Sequence, residues 1–387
     1  MKNKCIAMIL AGGNGSRLLP LTKKLAKPAV LFAGKYRIID FTLSNCINSN
    51  ITTIGILVQY EPLSINTCIN SKGAWNLEKG MGSITILPPH MRENGGSWYK
   101  GTANAVYQNL EYIKFYNPDY ILILSADQVY KMDYSHLLDF HIQSKADVTI
   151  TATKVPSAEA NRFGILREDS SHRIYEFEEK PAFPKGDLAS MGIYVFNRET
   201  LLKALEYDEA DSCSNNDFGK NIIPNLVNNT TTKVYAYKFE GYWRDVGTLK
   251  SFWEAHMDLL DENSNLNLQD PSWKIYCDTS SQPPIYINHT AKVNASIIGD
   301  GCYIQGIVDN SILFPGVFIG RNASVFDSVV MSNAVIESDS MVTRAIIGSH
   351  ATIKTNSRVG AYSDLSNNIT YIDEGQVVQN RLIMSNV

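Results

Sequence analysis

The stretch Cys5-Ile6-Ala7-Met8-Ile9-Leu10-Ala11-Gly12-Gly13-Asn14-Gly15-Ser16-Arg17-Leu18 decides how the chain is read. Cys5 to Leu10 is a short apolar run of the kind that forms a buried strand. It stops at Gly12, Gly13 and Gly15, where glycine lets the backbone take φ > 0 and lets another group approach the main chain. Ser16 is placed to cap a following helix. A glycine loop leaving a strand offers unpaired N–H groups to an anion, and Arg17 adds a planar cation suited to phosphate. A tight turn with an incidental arginine fits the same residues. Two better-known phosphate loops are excluded. No Gly-Lys-Ser/Thr ends the loop, and Leu18 stands where a dinucleotide fingerprint needs its third glycine.

Working outward, Ala26-Lys27-Pro28-Ala29 follows the loop. Pro28 favours an extended Lys27, aiming its amine back at the glycines; the alternative is a solvated surface lysine. Gly34-Lys35-Tyr36-Arg37-Ile38-Ile39-Asp40-Phe41 leads into a helical pattern over Thr42 to Asn48. Thr53 to Val58 is a second β-rich run, delivering Gln59 and Tyr60 to the crevice of a parallel sheet. Residues 66 to 97 read as a long, irregular, glycine-rich loop. Gly101-Thr102 looks like a helix entrance, with N–H groups free for a ligand. Tyr120 to Ala126 is a continuous apolar strand tipped by Asp127. An acid there suits Mg²⁺ opposite phosphates, or a helix N-cap. Val148 to Thr153 is a further strand, and the alternation to about residue 150 indicates a mostly parallel α/β sheet. Beyond it, Glu176 to Pro181 and Ser190 to Phe196 resemble strands of a mixed region covering a sugar site. Asp217-Phe218-Gly219-Lys220 opens a helix, and Asp245 is a second isolated acid before an amphipathic helix over residues 249 to 260.

Residues 263 to 284, rich in Asn, Ser, Asp and Pro, read as a linker. After it, aliphatic residues recur six apart: Ile298 and Ile304; Ile319 and Val325; Val330, Ile336 and Val342; Ile347, Ile353 and Val359. Glycines lie beside several of them, at Gly299, Gly320, Gly348 and Gly360. A six-residue repeat marks a parallel β-helix, here of roughly four coils. The expected division is a catalytic domain over 1–262, the linker, and a β-helix with a C-terminal tail over 285–387.

Bulk properties narrow the class. The chain has 387 residues, an apolar fraction of 44% and a net charge of −4, which argues against a nucleic-acid protein. Six scattered cysteines without a CxxC pair read as reduced thiols of a cytoplasmic protein. No run approaches the ~18 residues of a membrane helix, and the apolar start is too short for a signal peptide.

Taken together and in order, the motifs resemble the bacterial glucose-1-phosphate adenylyltransferase (ADP-glucose pyrophosphorylase) family, from residue 4 to about 360. The carriers are Gly12 to Leu18, Ala26 to Ala29, Gly34 to Phe41, Gly101-Thr102-Ala103, Asp127, Glu179-Lys180-Pro181, Asp217 to Lys220, and Tyr242-Trp243-Arg244-Asp245-Val246-Gly247-Thr248. The resemblance implies a Rossmann-like nucleotidyltransferase domain followed by a left-handed parallel β-helix. It implies that ATP and α-D-glucose 1-phosphate give ADP-glucose, for glycogen synthesis, and pyrophosphate. By the same resemblance Leu10, Gly12, Gly13, Gly15, Ser16, Gln59, Gly101 and Thr102 bind ATP. Arg17 and Lys27 are catalytic with Asp127 and Asp245, and the two acids hold Mg²⁺. Tyr99, Gly164, Glu179, Lys180 and Ser190 line the glucose 1-phosphate site. A homotetramer, or a heterotetramer with a related subunit, is implied.

The chemistry suits these residues. The nucleophile is already an anionic phosphate, so no general base is needed. The task is charge neutralisation and in-line positioning. Departures from the family pattern are Ala126 for glycine, Gln128 for histidine, Asn104 for aspartate, Asn14 for a basic residue and Leu25 for an arginine. The last argues against sugar-bisphosphate activation. Ala126 and Gln128 support a rival reading as a low-activity regulatory subunit. A second rival is the same chemistry on another sugar nucleotide, and a third an acyltransferase using His289 or His350.

Overall fold

The computed structural model describes residues 4–13, 15–70, 75, 82–89, 98–277, 282–361, 368–379 and 382–383. The strand Cys5–Leu10 lies inside a nine-stranded sheet. It runs parallel to Thr53–Leu57 on one side and to Tyr120–Ser125 on the other. Its side chains alternate: Ile6 and Met8 enter one apolar layer, Ala7 and Ile9 the opposite one. The Tyr120–Ser125 strand does the same, with Ile121 and Ile123 against Leu122 and Leu124. A strand buried on both faces has no polar side, which is why these segments read as unbroken apolar runs.

Beyond Tyr120–Ser125 the sheet turns antiparallel. Leu188–Asn197 pairs with that strand at its C-terminal end and with Val148–Lys154 along much of its length. Its register shifts between Ser190 and Tyr194, where Gly192 takes φ +68°. Such a bulge re-aims the chain beside it. Gly164–Glu168 and Ile174–Glu179 form the adjoining hairpin. The mixed region expected after residue 160 is therefore part of the one sheet.

The long irregular loop expected over 66–97 is corrected in part. Pro62–Asn70 is a helix, and Ser83–Leu87 is the edge strand beside Thr53–Leu57. Residues 71–74, 76–81 and 90–97 lie outside the described ones.

From Tyr286 onward the chain coils into three parallel sheets of six, six and five strands. The six-residue repeat is the path round the coil. Val330, Ile336 and Val342 lie on successive sides, and Ile347 returns above Val330. One ladder stacks Ile304, Ile319, Ile336 and Ile353; another stacks Val308, Val325, Val342 and Val359. All eight are fully buried. The step from Val342 to Ile347 is five rather than six, which is why the sequence rhythm looked interrupted. Roughly four coils was an undercount. The first rung, Tyr286–Ile287, and a late one, Val377–Val378, lie outside the repeat seen in the sequence. Corners are taken by residues at positive φ, among them Asn310, Asn322, Asn333, Asp339 and Asn356. Asn and Asp tolerate that region best after glycine.

The coil docks on the sheet domain through a third apolar cluster. Ile312, Phe314, Val329, Met331 and Ile346 meet Phe32, Phe41, Phe252 and Ala255. Among the described residues no helix is long and apolar enough to cross a membrane.

Candidate active site

Three parallel strands end together at Leu10, Leu57 and Ser125, and the chain leaves them as Ala11-Gly12-Gly13, Val58-Gln59-Tyr60 and Ala126-Asp127. Cys5–Leu10 has neighbours on both sides that come later in the sequence. It therefore sits at a topological switch point, where an open α/β sheet leaves a crevice at its carboxyl edge. The Ala11 amide donates to Leu57 O at 2.9 Å and the Ala126 amide to Leu10 O at 3.2 Å, holding the three exits together.

Two cavities occupy this crevice. One, of about 460 Å³, is bounded by Gly12, Gly13, Lys27, Gln59, Tyr60, Tyr99 and Gly101. The other, of about 210 Å³, is bounded by Arg17, Arg162, Gly164, Glu179, Lys180 and Ser190. They share Leu10, Thr102, Ser125, Asp127 and Asp217. A ligand in one thus touches the wall of the other.

Lys27 stands at the junction. Its Nζ is 2.8 Å from Asp127 Oδ2 and 3.2 Å from Asp245 Oδ1, and the residue is 6% exposed. Burial by itself disfavours the ammonium, but the two carboxylates outweigh it and raise its pKa. Asp127 loses solvation as well, yet the Lys27 charge holds its carboxyl below the usual range. Asp127 is also bonded by the Ser125 hydroxyl. Asp245 is carried by Trp243–Asp245, which pairs antiparallel with Gln128–Tyr130 and places Asp245 opposite Gln128. The two isolated acids of the sequence are thereby neighbours.

Several local expectations are corrected. Lys27 begins a 3-10 turn, and Ala26 is the extended residue before it. The amine faces the acids, and the lysine is no surface residue. Ser16 caps nothing: Gly15, at φ 60°, precedes a three-residue 3-10 turn without a side-chain cap. Asp127 is not an N-cap, since the strand Gln128–Tyr130 follows it.

The expected nucleotide residues divide between positions. Leu10, Gly12, Gly13, Gln59, Gly101 and Thr102 line the larger cavity, whereas Gly15 and Ser16 border neither. Asn14 lies outside the described residues. Arg17 faces the smaller cavity. Of the expected sugar residues, Gly164, Glu179, Lys180 and Ser190 come together there, but Tyr99 borders the larger one. Its hydroxyl donates to Leu87 O at 3.0 Å, and burial pushes it up to about 12. Its amide donates to the Gln59 side-chain oxygen Oε1.

Among the residues of the smaller cavity that were missed as site residues are Arg162, Tyr194, Asp217 and Phe218. Only Asp217 and Phe218 carried a signal, as the opening of a helix. Asp217 does cap it, accepting from Gly219 N and Lys220 N, while its other oxygen accepts from Thr102 Oγ1 at 3.0 Å. The first turn is a π segment, Phe218–Ile222, a form frequent at functional sites.

Three departures are packed or hydrogen-bonded in place, Gln128 at the wall of the smaller cavity. Ala126 is fully buried in the apolar layer with Ile9 and Met191 and borders neither cavity. Gln128 donates to Met191 O at 2.7 Å and accepts from Trp243 Nε1 at 3.0 Å. Asn104 is likewise satisfied, donating to Glu209 Oε2 and accepting from the Lys100 amide.

The donor set suits a small hard cation. Two carboxylates, Asp127 and Asp245, converge on the Lys27 amine, and among the described residues no cluster of three His, Cys, Asp or Glu offers a full cage. Mg²⁺ typically takes one or two carboxylates and completes its shell with phosphates and water.

A nucleotidyl transferase family model matches residues 6–262, and a GlmU-like C-terminal hexapeptide model matches residues 286–379. The chain is 54% identical over 359 residues to a glucose-1-phosphate adenylyltransferase of Desulforamulus reducens, covering 93% of this chain and 90% of the relative. It is also 54% identical over 353 residues to enzymes of that name from Bacillus thuringiensis and Bacillus anthracis, covering 91% of this chain and 94% of each.

Proposed function

Because the chain belongs to the nucleotidyl transferase family, and within it to the glucose-1-phosphate adenylyltransferases, we propose that it joins ATP and α-D-glucose 1-phosphate into ADP-glucose and pyrophosphate. The observation that carries this is the placement of Lys27, clamped by Asp127 and Asp245 where two cavities meet. The larger cavity takes ATP, with the Gly12–Gly13 backbone against the phosphates and Gln59, Gly101 and Thr102 against the base. The smaller takes glucose 1-phosphate, with Glu179 and Ser190 toward hydroxyls and Lys180 toward the phosphate. A sugar-phosphate oxygen attacks the α-phosphorus, the bond from that phosphorus to the bridging oxygen breaks, and pyrophosphate leaves. The nucleophile is ionised beforehand, so no side chain must take a proton. Lys27 and Arg17 neutralise charge building between the two anions. In a site of low dielectric, such fixed charges act more strongly than in water. Asp127 and Asp245 would hold Mg²⁺, which when bound would supply Lewis acidity toward the phosphates.

We divide the chain into a catalytic domain over 1–262, a linker over 263–284 and an assembly coil over 285–387. We place the protein in the cytoplasm as a tetramer, of one chain or with a related subunit. The test is product formation by the purified chain from glucose 1-phosphate with ATP, UTP or GTP. ADP-glucose made in at least tenfold preference supports the reading. A preference for UTP or GTP, or no pyrophosphate release at all, overturns it.

A further inference from the structure

One cation on the sugar side has no part in the scheme above. Arg162 closes the short turn Ala160–Arg162 that leads into the Gly164–Glu168 strand. Its Nη2 is 3.4 Å from Asp245 Oδ2 and its Nη1 is 3.2 Å from Glu159 Oε2. The guanidinium lies 5.4 Å from the Phe163 ring centre, and that ring packs on Trp243. Arg162 borders the smaller cavity together with Glu179, Lys180 and Ser190. Asp245 is thus shared. Its Oδ1 faces Lys27 at the cavity junction, and its Oδ2 faces Arg162 on the sugar side.

We propose that Arg162 is a substrate-binding residue that grips the phosphate of glucose 1-phosphate and gives up Asp245 as it does so. The inference rests on the adenylyltransferase reading. Lys180 is a weaker sole anchor: its side chain is 54% exposed and its amine, paired with Glu179 at 3.0 Å, is a point charge without a planar fork. The Arg162 side chain is 30% exposed, and its planar fork matches two phosphate oxygens at once. Its contact to Asp245 is long and single, so a phosphate carrying more charge and more acceptors displaces it. The exchange frees Asp245 Oδ2 when the second substrate arrives. Sugar-phosphate binding is thereby coupled to the acid that holds Lys27.

The experiment compares Arg162→Ala, Arg162→Gln and Arg162→Lys with the native chain, measuring kcat and KM separately for each substrate. Arg162→Ala and Arg162→Gln raise KM for glucose 1-phosphate tenfold or more and leave KM for ATP within twofold. Arg162→Lys recovers part of that loss, because it restores the charge without the fork. Circular dichroism of each variant checks the fold, and Arg162→Gln keeps most of the side-chain volume should the alanine variant not fold. An unchanged KM for glucose 1-phosphate overturns the inference, as does an equal rise in both KM values. If the native chain makes no ADP-glucose, the underlying reading fails instead.

Discussion

Lys27 and Asp245 are 218 residues apart in the chain and 3.2 Å apart in space. Asp127 closes on the same ammonium from the other side at 2.8 Å. Removing the lysine leaves two carboxylates facing each other, with only the longer Arg162 contact to Asp245 to offset them. Lys27→Met therefore lowers turnover by about a hundredfold or more, the scale of losing one preorganised charge at a reacting centre. Steady-state ADP-glucose formation at saturating substrates measures it. Turnover within threefold of native contradicts the placement of Lys27 between the two substrates.

Asp127→Asn keeps the shape and the Ser125 hydrogen bond but removes the charge. Turnover falls by about a hundredfold or more, while the circular dichroism spectrum and the melting temperature stay near native. The apparent affinity for Mg²⁺, read by titrating the ion at fixed ATP, weakens in parallel. A variant with native Mg²⁺ dependence removes Asp127 from the metal site.

Gly164 lies against the sugar-side acid. A Cβ there comes within 2.5 Å of the Phe177 ring and 2.8 Å of Glu179 Oε2. Both the buried Phe177 ring and the Glu179 carboxylate have to shift. Gly164→Ala is expected to raise KM for glucose 1-phosphate several-fold, with KM for ATP unchanged. Equal effects on both substrates would show that the alanine perturbs the whole crevice and not the Glu179 side alone.

His256 ties the two parts of the molecule together. Its Nε2 accepts from the Ala33 amide at 3.0 Å and its Nδ1–H donates to Phe252 O at 2.7 Å. Its ring lies among Phe32, Phe252 and Phe314, the last from the coil. Burial holds its pKa down to about 4. The folded value is below the ordinary ~6.5, so as pH falls the unfolded chain takes the proton first. The stability contributed is complete above about pH 6.5 and is lost progressively toward pH 4, by about 3 kcal/mol in all. Melting curves at pH 7.5, 6.5 and 5 show a falling midpoint, and the fall is smaller in His256→Gln. Identical pH profiles for native and variant would mean that the histidine is not held neutral.

Much of this was legible along the chain because the signals are local. Apolar runs at Cys5–Leu10 and Tyr120–Ser125 marked strands covered on both faces, since a doubly buried strand has no side to leave polar. The six-residue rhythm marked the coil, because each side of it must present an aliphatic residue inward. The edge strand Ser83–Leu87 was not legible. Its burial is only partial, and what makes it a strand is its partner Thr53–Leu57 rather than its own pattern. The rung Val377–Val378 was missed for a similar reason: its place is set by stacking on Thr352–Ile353.

The same division runs through the site. Residue types and their immediate neighbours are written in the sequence, and they determined the parts on their own: a glycine loop after a strand, a lysine before a proline, two acids beside apolar segments, a coil of short strands. Which parts meet was decided only by the tertiary structure. Sheet order brings the carboxyl ends of Cys5–Leu10 and Tyr120–Ser125 together, and the pairing of Trp243–Asp245 with Gln128–Tyr130 carries the second acid to the first. That pairing turns Lys27 inward and sets Arg162 against Asp245. Coulomb attraction acts over a few ångströms, and separation along the chain does not report that distance.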